Sequence, residues 1–307
     1  MTILFYSTID DPAEWLPRLQ AHLPGETIRL WPDIGDPAAV DVAVLWTQPP
    51  EGLGALTGLK AVQSLGAGVN QLSLGTVSPA IRVARLVDPG LSDDMAEYCL
   101  LATLRYFRRF DLHERAQRVG EWSFRLPQDR AGYEVGIMGL GTLGAAVAAR
   151  LAASGFPVRG WTRLPRKVEG VRCFAGAAEL DAFLDGLKVV ICLLPLTAET
   201  TSILNARLFA RLDGAYLINV GRGAHLVDDD LVQALEAGRL AGATLDVFHS
   251  EPPSADHPFW SHSHILMTPH VASAGDPATA TAIVAENIHR AQAGAPMLYE
   301  VDRARGY

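Results

Sequence analysis

Three glycines in the pattern G-x-G-x-x-G constrain the fold of this chain more than any other feature. Gly139, Gly141 and Gly144 directly follow the apolar run 135–138 and open an alanine-rich segment, 145–153. The first glycine permits a tight turn, the second lets a bound anion approach the backbone, and the third lets a helix pack closely on the strand. The amide groups at the start of such a helix attract negative charge. The pattern predicts a dinucleotide-binding loop, with a merely structural glycine turn as the alternative.

Short strand-like runs alternate with helical stretches along the whole chain. In the amino-terminal third they are 3–7, 27–31, 42–46, 61–64 and 83–84, and after the glycines they are 158–161, 189–193, 215–219, 243–247 and 265–268. Apolar strands separated by helices are typical of parallel sheets that are covered on both faces. We therefore predict an α/β protein with two doubly wound parallel-sheet domains of Rossmann or flavodoxin type.

The domain boundaries are predicted from changes in this pattern. Apolar residues recur at helical spacing from Asp93 onward, directly after a Pro89-Gly90 turn, and a last helix is expected over 277–293. We assign 96–271 to a dinucleotide-binding Rossmann domain. Residues 1–95 form a substrate domain, which 272–307 complete.

Composition excludes several classes of function. The 307 residues include 26 Lys and Arg against 34 Asp and Glu, a net charge of −8, which disfavours nucleic acid and anionic membranes as partners. The longest uncharged apolar run, 135–149, is shorter than the ~18 residues of a membrane span, and no cationic leader opens the chain. Three widely spaced cysteines argue against a disulfide scaffold. We expect a cytoplasmic protein.

The segment after the second predicted strand of the Rossmann domain bears on cofactor choice. An acidic residue about 20 positions beyond the glycines binds the ribose diol in NAD-preferring sites. Here 160–167 holds no carboxylate but includes Thr162, Arg163 and Arg166. Cations and a hydroxyl donor suit a 2′-phosphate. We predict that NADP(H) is preferred and that NAD(H) is possible, with a solvated basic turn as the alternative.

Three charged or titratable residues follow three predicted strands. Arg222 lies between glycines after 215–219, Glu251 follows 243–247, and His270 follows 265–268. Ligands of open parallel sheets bind beyond the carboxyl ends of the strands. These side chains are therefore expected at one ligand-binding edge. The alternatives are a structural Arg222–Glu251 ion pair and a histidine satisfied at a strand end.

The motifs around these residues closely resemble those of the D-isomer-specific 2-hydroxyacid dehydrogenases. They are Asn219-Val-Gly-Arg222-Gly, Leu245-Asp-Val-Phe-x-x-Glu251-Pro and Thr268-Pro-His270-Val-Ala, in that order after the glycines. Within the family, the chain is most similar to the bacterial A-type glyoxylate/hydroxypyruvate reductases. That resemblance rests on Leu45-Trp46-x-x-Pro49-Pro50, His257-Pro-Phe-Trp260 and the terminal Arg305-Gly-Tyr307.

The resemblance implies NADPH-dependent reduction of small 2-keto acids to D-2-hydroxy acids, in an active-site cleft between the two domains. His270 donates the proton, because imidazole exchanges protons near neutral pH, and Glu251 orients it. Arg222 holds the substrate carboxylate and polarises the carbonyl group. The predicted cofactor contacts are Gly139, Gly141, Thr142, Leu143, Gly144, Thr162, Arg163, Arg166, Leu194, Pro195, Val220, Asp246 and Ala272, with Asp246 on the nicotinamide carboxamide.

On the substrate side, the resemblance implies that the amides of Ala67 and Gly68 bind the carboxylate and that Trp46 reaches the substrate. A plain glycine turn and a core tryptophan are the respective alternatives. The helix from Asp93 and the segment with Trp122 and Phe124 resemble the family's dimer contact, so we expect a homodimer. The sequence is also compatible with a reductase of bulkier 2-keto acids, such as phenylpyruvate, and with a nucleotide-sensing binding protein of the same fold.

A cluster of histidines near the end of the Rossmann domain raises the question of a metal. His257, His262, His264 and His270 lie close together in sequence, but without helical i, i+4 pairing or thiolate neighbours. We predict no metal site.

Overall fold

A computed structural model describes residues 1–126 and 128–303 and divides them into two compact units. The first unit contains Met1–Leu91 and the segment from Ala274 onward, and the second contains Ser92–Ser273. The terminal motif at Arg305 and Tyr307 lies outside the described residues. Each unit is built around its own parallel sheet. The predicted pair of parallel α/β units is thereby confirmed.

The first unit holds a five-stranded sheet in the order β2-β1-β3-β4-β5. Its elements are β1 (Thr2–Tyr6), α1 (Pro12–His22), β2 (Thr27–Leu30), β3 (Val40–Leu45), β4 (Ala61–Ser64), β5 (Arg82–Ala84) and the last helix, α8 (Pro277–Gln292). This strand order is that of the flavodoxin-like doubly wound sheet. Helix α8 starts at a Pro that follows the capping carboxylate of Asp276, and it packs against α1.

The second unit holds a seven-stranded sheet in the order β12-β11-β10-β9-β6-β7-β8. Its elements are α3 (Phe110–Arg118), β6 (Val135–Met138), α4 (Thr142–Ala153), β7 (Val158–Thr162), β8 (Arg172–Ala175), α5 (Leu180–Leu184), β9 (Val189–Cys192), α6 (Ala206–Phe209), β10 (Ala215–Asn219), α7 (Asp228–Glu236), β11 (Leu240–Leu245) and β12 (Ile265–Met267). Numbered from β6, this is the Rossmann order 3-2-1-4-5-6 with one further edge strand, β12.

Alternate residues of the central strands pack on opposite faces of the second sheet. In β9, Val189 and Ile191 join one apolar cluster, while Val190 and Cys192 join the other. All four side chains are fully buried. This continuous apolar run is what a strand covered by helices on both faces requires.

Helix α2 (Pro89–Phe107) carries the chain from the first unit into the second, because the boundary falls between Leu91 and Ser92. The Pro89-Gly90 pair, predicted as a turn before the helix, forms its first turn instead. Proline is well suited to that position, because an N–H group in the first turn of a helix has no acceptor within the helix, and proline therefore loses no hydrogen bond by lacking one. Among the described residues, no helix is both long and apolar enough to cross a membrane.

Candidate active site

The glycine loop lies where the strand order of the second sheet reverses, between β6 and β9. Gly139 has φ +103°, and an added Cβ would lie 2.7 Å from the carbonyl oxygen of Leu193. At Gly144, a Cβ would lie 1.9 Å from the carbonyl oxygen of Gly139. Gly141 differs, because nothing lies within 4 Å of the position its Cβ would take. Two glycines are therefore required by the fold, and the third keeps a space open.

That open space adjoins the start of α4, which no side chain caps. Within the described residues, the amides of Thr142, Leu143 and Gly144 have no hydrogen-bond acceptor. Unpaired amides at a helix start form an anion-binding site. The loop thus fits the pyrophosphate of a dinucleotide, as the sequence predicts.

The predicted contacts to the 2′-phosphate are the last residue of β7, Thr162, and two arginines that follow the strand. Arg163 and Arg166 are exposed. The Thr162 hydroxyl donates a hydrogen bond to the carbonyl oxygen of Leu164 at 2.7 Å. Thr162 would have to give up that bond to donate to a phosphate, whereas the two arginines are accessible as they stand.

Glu251 and His270 form a hydrogen-bonded pair at the ends of two neighbouring strands. Nδ1 of His270 lies 2.6 Å from Oε2 of Glu251, while Oε1 accepts a hydrogen bond from the amide of Phe248 at 2.9 Å. Burial acts to raise the pKa of Glu251, but the bonds from His270 and Phe248 and the charges of His270 and Arg222 outweigh it and lower that pKa. Glu251 is therefore an ionised acceptor, and it holds the proton of the imidazole on Nδ1.

The backbone at His270 is held in an unusual conformation. Its φ is +56°, in the left-handed region that non-glycine residues seldom adopt. Its amide donates to the carbonyl oxygen of Asp246 at 2.9 Å. The Asp246 carboxylate accepts from the amides of Val271, at 2.9 Å, and Ala272, at 2.8 Å. Asp246 thus fixes the loop that carries His270.

A chain of hydroxyl groups supports Asp246 from helix α2. Tyr98 OH lies 2.5 Å from Thr268 Oγ1, which donates to Asp246 Oδ1 at 2.6 Å. Because the Thr268 proton points to the carboxylate, Tyr98 is the donor to Thr268. Burial raises the pKa of Asp246, and the hydrogen bonds that it accepts oppose that shift. With three bonds accepted, the carboxylate retains capacity for one further donor, which its predicted contact to a carboxamide needs. The amide of Ala272, another predicted cofactor contact, already donates its hydrogen bond to Asp246.

Arg222 follows β10 in an extended backbone conformation, and its guanidinium donates to the carbonyl oxygen of Gly221 at 2.6 Å. Burial lowers the pKa of Arg222, and the charge of Glu251 opposes that shift. Arginine nevertheless stays charged in proteins. No carboxylate in the described part of the chain forms a salt bridge with Arg222. The alternative of a structural Arg222–Glu251 ion pair is therefore not what the structure contains.

Other predicted residues of the second unit follow the same strand ends. Leu194 and Pro195 follow β9 after one intervening residue, beside Gly139 of the glycine loop. The amide of Val220 donates to the carbonyl oxygen of Cys192 at 3.2 Å. Within residues 1–126 and 128–303, no group of three or more His, Cys, Asp or Glu side chains could hold a metal ion. The contacts of Leu194, Pro195 and Val220 with a cofactor stay predictions.

The predicted substrate residues of the first unit follow β3 and β4. Trp46 is partly exposed rather than part of the core, and its ring lies against Gly66. The carbonyl oxygen of Gly68 accepts a hydrogen bond from Gln71 at 3.0 Å. The amides of Ala67 and Gly68 have no acceptor among the described residues. Their location therefore suits an anionic ligand, as predicted for a carboxylate.

Sequence analysis missed two polar residues at this site, His225 and Tyr98. His225 is fully buried, and its Nδ1 accepts the amide of Arg222 at 3.0 Å. Its signal in the sequence is a lone histidine in an otherwise apolar segment just after Arg222. Tyr98 gives no such signal, because its partner Thr268 is distant in sequence and is brought to it only by the fold.

A Rossmann sheet with a glycine loop at its reversal point, and an imidazole–carboxylate pair at neighbouring strand ends, defines a dinucleotide-dependent oxidoreductase. Comparison with known proteins agrees with this class. A family model described as the NAD-binding domain of D-isomer specific 2-hydroxyacid dehydrogenase matches residues 100–272. The chain belongs to the D-isomer specific 2-hydroxyacid dehydrogenase family, which confirms the resemblance seen in its motifs.

Individual relatives match over the full chain. Glyoxylate/hydroxypyruvate reductase A of Serratia proteamaculans is 45% identical, with 100% of both chains covered. A D-isomer specific 2-hydroxyacid dehydrogenase from Xanthobacter autotrophicus, solved with NADPH and MES, has 43% identity and a TM-score of 0.93, covering 100% of this chain and 99% of that one. The NADPH-dependent glyoxylate/hydroxypyruvate reductase of Sinorhizobium meliloti, solved with NADP and sulfate, has 35% identity, the same TM-score and the same coverage.

Proposed function

We propose that this protein is an NADPH-dependent reductase that converts glyoxylate and hydroxypyruvate to 2-hydroxy acids, of the D series where the product is chiral. The observation that carries the proposal is the His270–Glu251 pair, 2.6 Å apart, at the strand ends of a Rossmann unit. Full-length relatives at 41–45% identity bear the name glyoxylate/hydroxypyruvate reductase A. Larger 2-keto acids, such as phenylpyruvate, are expected to react more slowly.

The cofactor is proposed to lie on the glycine loop. Gly141 leaves the space for its pyrophosphate, and the unpaired amides of Thr142, Leu143 and Gly144 would bind the phosphate oxygens. When bound, the reduced nicotinamide supplies the hydride for the carbonyl carbon of the substrate. The exposed Arg163 and Arg166 would pair with the 2′-phosphate that distinguishes NADPH from NADH.

The preference for NADPH can be tested at Arg163. Replacing a cation beside the 2′-phosphate by a carboxylate removes an ion pair and adds repulsion. We expect Arg163→Asp to lower the ratio of kcat/KM for NADPH to that for NADH by at least about ten-fold, the effect of about 1.4 kcal/mol. Arg172→Asp, on the edge strand β8, serves as the matched control. An unchanged ratio in the Arg163 variant would count against the assignment.

The acid–base chemistry is proposed for His270 and Glu251. Since Glu251 holds a proton on Nδ1, the proton that His270 gives to the substrate oxygen comes from Nε2. The ionised carboxylate stabilises the imidazolium before this transfer and fixes the plane of the ring. Arg222, which has no carboxylate partner in the described chain, binds the substrate carboxylate and stabilises the charge that develops on the carbonyl oxygen.

On the substrate side, we propose that the amides of Ala67 and Gly68 also bind the substrate carboxylate. They have no acceptor among the described residues, and the carbonyl oxygen of Gly68 is tied back to Gln71. Trp46, partly exposed at the end of β3, is proposed to contact the carbon chain of the substrate. That contact would favour small keto acids over bulky ones.

Loss of NADPH absorbance on addition of a keto acid is the direct assay. His270→Ala should lower kcat strongly, by about 10²- to 10⁴-fold, with the affinity for NADPH near normal. Arg222→Ala should raise KM for glyoxylate as well as lower kcat. Wild-type turnover in the His270 variant, or no turnover of any 2-keto acid by the wild type with either cofactor, would overturn the proposal.

A homodimer is proposed from the surface of the second unit. Val119, Trp122, Phe124 and Leu126 expose between 71% and 100% of their area. Such a cluster of large apolar side chains is typical of a protein interface. Light scattering should give the mass of a dimer, and Trp122→Lys should shift the protein toward monomer. A wild-type monomer would contradict this.

The cytoplasm is proposed as the location. Cys99 and Cys192 are buried free thiols, Cys173 is partly buried, and none of the three forms a disulfide. Free thiols are typical of reducing compartments. Fractionation of cells that express the full-length chain tests this, and recovery of the protein outside the cytoplasmic fraction would refute it.

A further inference from the structure

A fully buried histidine, His225, is hydrogen-bonded to the backbone amide of Arg222. His225 ends the 3-10 turn Gly223–His225 that follows β10. Its Nδ1 lies 3.0 Å from the amide nitrogen of Arg222, and its Nε2 lies 3.3 Å from the carbonyl oxygen of Pro195. The ring therefore joins the segment after β9 to the segment after β10.

The two partners fix the protonation of this ring. A backbone amide can only donate, so Nδ1 of His225 must accept and carries no proton. A backbone carbonyl can only accept, so Nε2 must carry one. Burial lowers the pKa of His225 to about 4, and the nearby charge of Arg222 acts in the same direction. His225 is thus a neutral imidazole in its Nε2–H tautomer at neutral pH.

The surrounding residues hold Arg222 from its other side. Asn219 donates from Nδ2 to the carbonyl oxygen of Arg222 at 3.2 Å and accepts the amide of Gly221 at 3.2 Å. A Cβ at Gly221 would lie 2.9 Å from Nδ1 of His225, so the ring fills the space that this glycine leaves. Both polar backbone groups of Arg222 are therefore bonded, its amide to His225 alone.

We propose that His225 is a positioning residue, whose Nδ1 holds the backbone of Arg222 so that the guanidinium meets the carboxylate of a small 2-keto acid. This inference rests on the proposed function, because it assigns Arg222 to the substrate. In this proposal His225 does not contact the substrate and takes no part in the proton transfer. Its bond to Pro195 links the same ring to a segment proposed to contact the cofactor.

Substitution of His225 by asparagine or glutamine tests the two hydrogen bonds of the ring separately. The side-chain oxygen of Asn stands at the position of Nδ1, whereas the amide nitrogen of Gln stands at that of Nε2. His225→Asn keeps an acceptor for Arg222, His225→Gln keeps a donor for Pro195, and His225→Phe keeps neither. His264→Gln is the matched control, because His264 bonds to the carbonyl oxygen of Ala241 at the opposite end of the strands.

KM for glyoxylate, kcat and the dissociation constant for NADPH are measured for each variant. We expect KM to rise about ten-fold in the Gln and Phe variants, the effect of one lost buried hydrogen bond, and to stay within about three-fold of wild type in the Asn variant. NADPH affinity should change less than KM in all of them. Equal KM values in the Asn and Gln variants, or the opposite order, would overturn the proposal.

Two further measurements test the hydrogen bond between His225 and Arg222 without an assay of enzymatic activity. Nitrogen-15 NMR of wild-type His225 should show Nδ1 without a proton, and the Nδ1–H tautomer or an imidazolium at pH 7 would overturn the proposal even if every variant misfolds. Exchange of the Arg222 amide with solvent should be faster in the Gln variant than in the Asn variant, and the reverse would also overturn it. If the wild-type protein reduces no keto acid, the proposed function is refuted. The NMR and exchange measurements still test the hydrogen bond between His225 and Arg222 in that case.

Discussion

The open space at Gly141 leads to a prediction that separates cofactor binding from folding. Gly141→Ala adds a methyl group where nothing lies within 4 Å, at a φ of −66° that alanine adopts readily. Reduced freedom of the unfolded chain stabilises such a variant by about 0.4–1 kcal/mol, and alanine's poorer fit to a helix N-cap costs a similar amount. The free energy of unfolding should therefore stay within about 1 kcal/mol of wild type.

Cofactor affinity should fall in the same variant, because the methyl group takes the space proposed for the pyrophosphate. Losing one or two charge-assisted hydrogen bonds, at about 1.5–3 kcal/mol each, weakens NADPH binding by at least about ten-fold. Urea unfolding and NADPH fluorescence titration measure the two effects. Gly144→Ala is the contrasting variant, since its Cβ would lie 1.9 Å from a backbone oxygen and should destabilise the fold itself. Wild-type NADPH affinity in the Gly141 variant would refute the placement of the cofactor.

Two further predictions concern polar residues that support the site. Tyr98→Phe should cost about 1 kcal/mol of unfolding free energy through its lost bond to Thr268. Because both residues serve one network, adding Thr268→Val should cost less than the sum of the single changes, and strict additivity in the double-mutant cycle would contradict this. The pKa of His225 is lowered from 6.5 to about 4, so the unfolded chain binds more protons between these values. Stability should therefore fall as the pH drops from 6.5 to about 4, by roughly 3 kcal/mol in total, and His225→Asn should lose this part of the slope in urea titrations. An unchanged slope would show that His225 does not titrate in this way.

The sheets could be predicted from the sequence wherever a strand is buried on both faces. The runs 135–138 and 215–219 match β6 and β10 residue for residue, since central strands are continuously apolar. The edge strand β8 was missed, because Arg172–Ala175 is short, begins with a cation and has only one neighbour in the sheet. Helix α3 was also missed, since only three of its nine residues, Phe110, Leu112 and Ala116, are apolar, which is too few to mark a buried helix.

The site could be predicted where the chemistry depends on side chains near strand ends. His270 and Glu251 are nineteen residues apart in sequence and 2.6 Å apart in the fold, as their position after neighbouring strands predicts. The supporting hydrogen bonds could not be found in this way. Tyr98 reaches Thr268 from a helix, and His225 reaches Pro195 across two loops, so both contacts depend on packing that the local sequence does not encode.

The loop at His270 takes its shape from backbone bonds to Asp246, none of which involves the imidazole. The side chain at position 270 can therefore be replaced without a change in the backbone conformation of the loop. Asparagine tolerates a φ of +56° better than most residues do. His270→Asn should accordingly yield a well-folded but inert protein that retains keto acid and reduced cofactor together, a trap in which the reactants can be observed before they react.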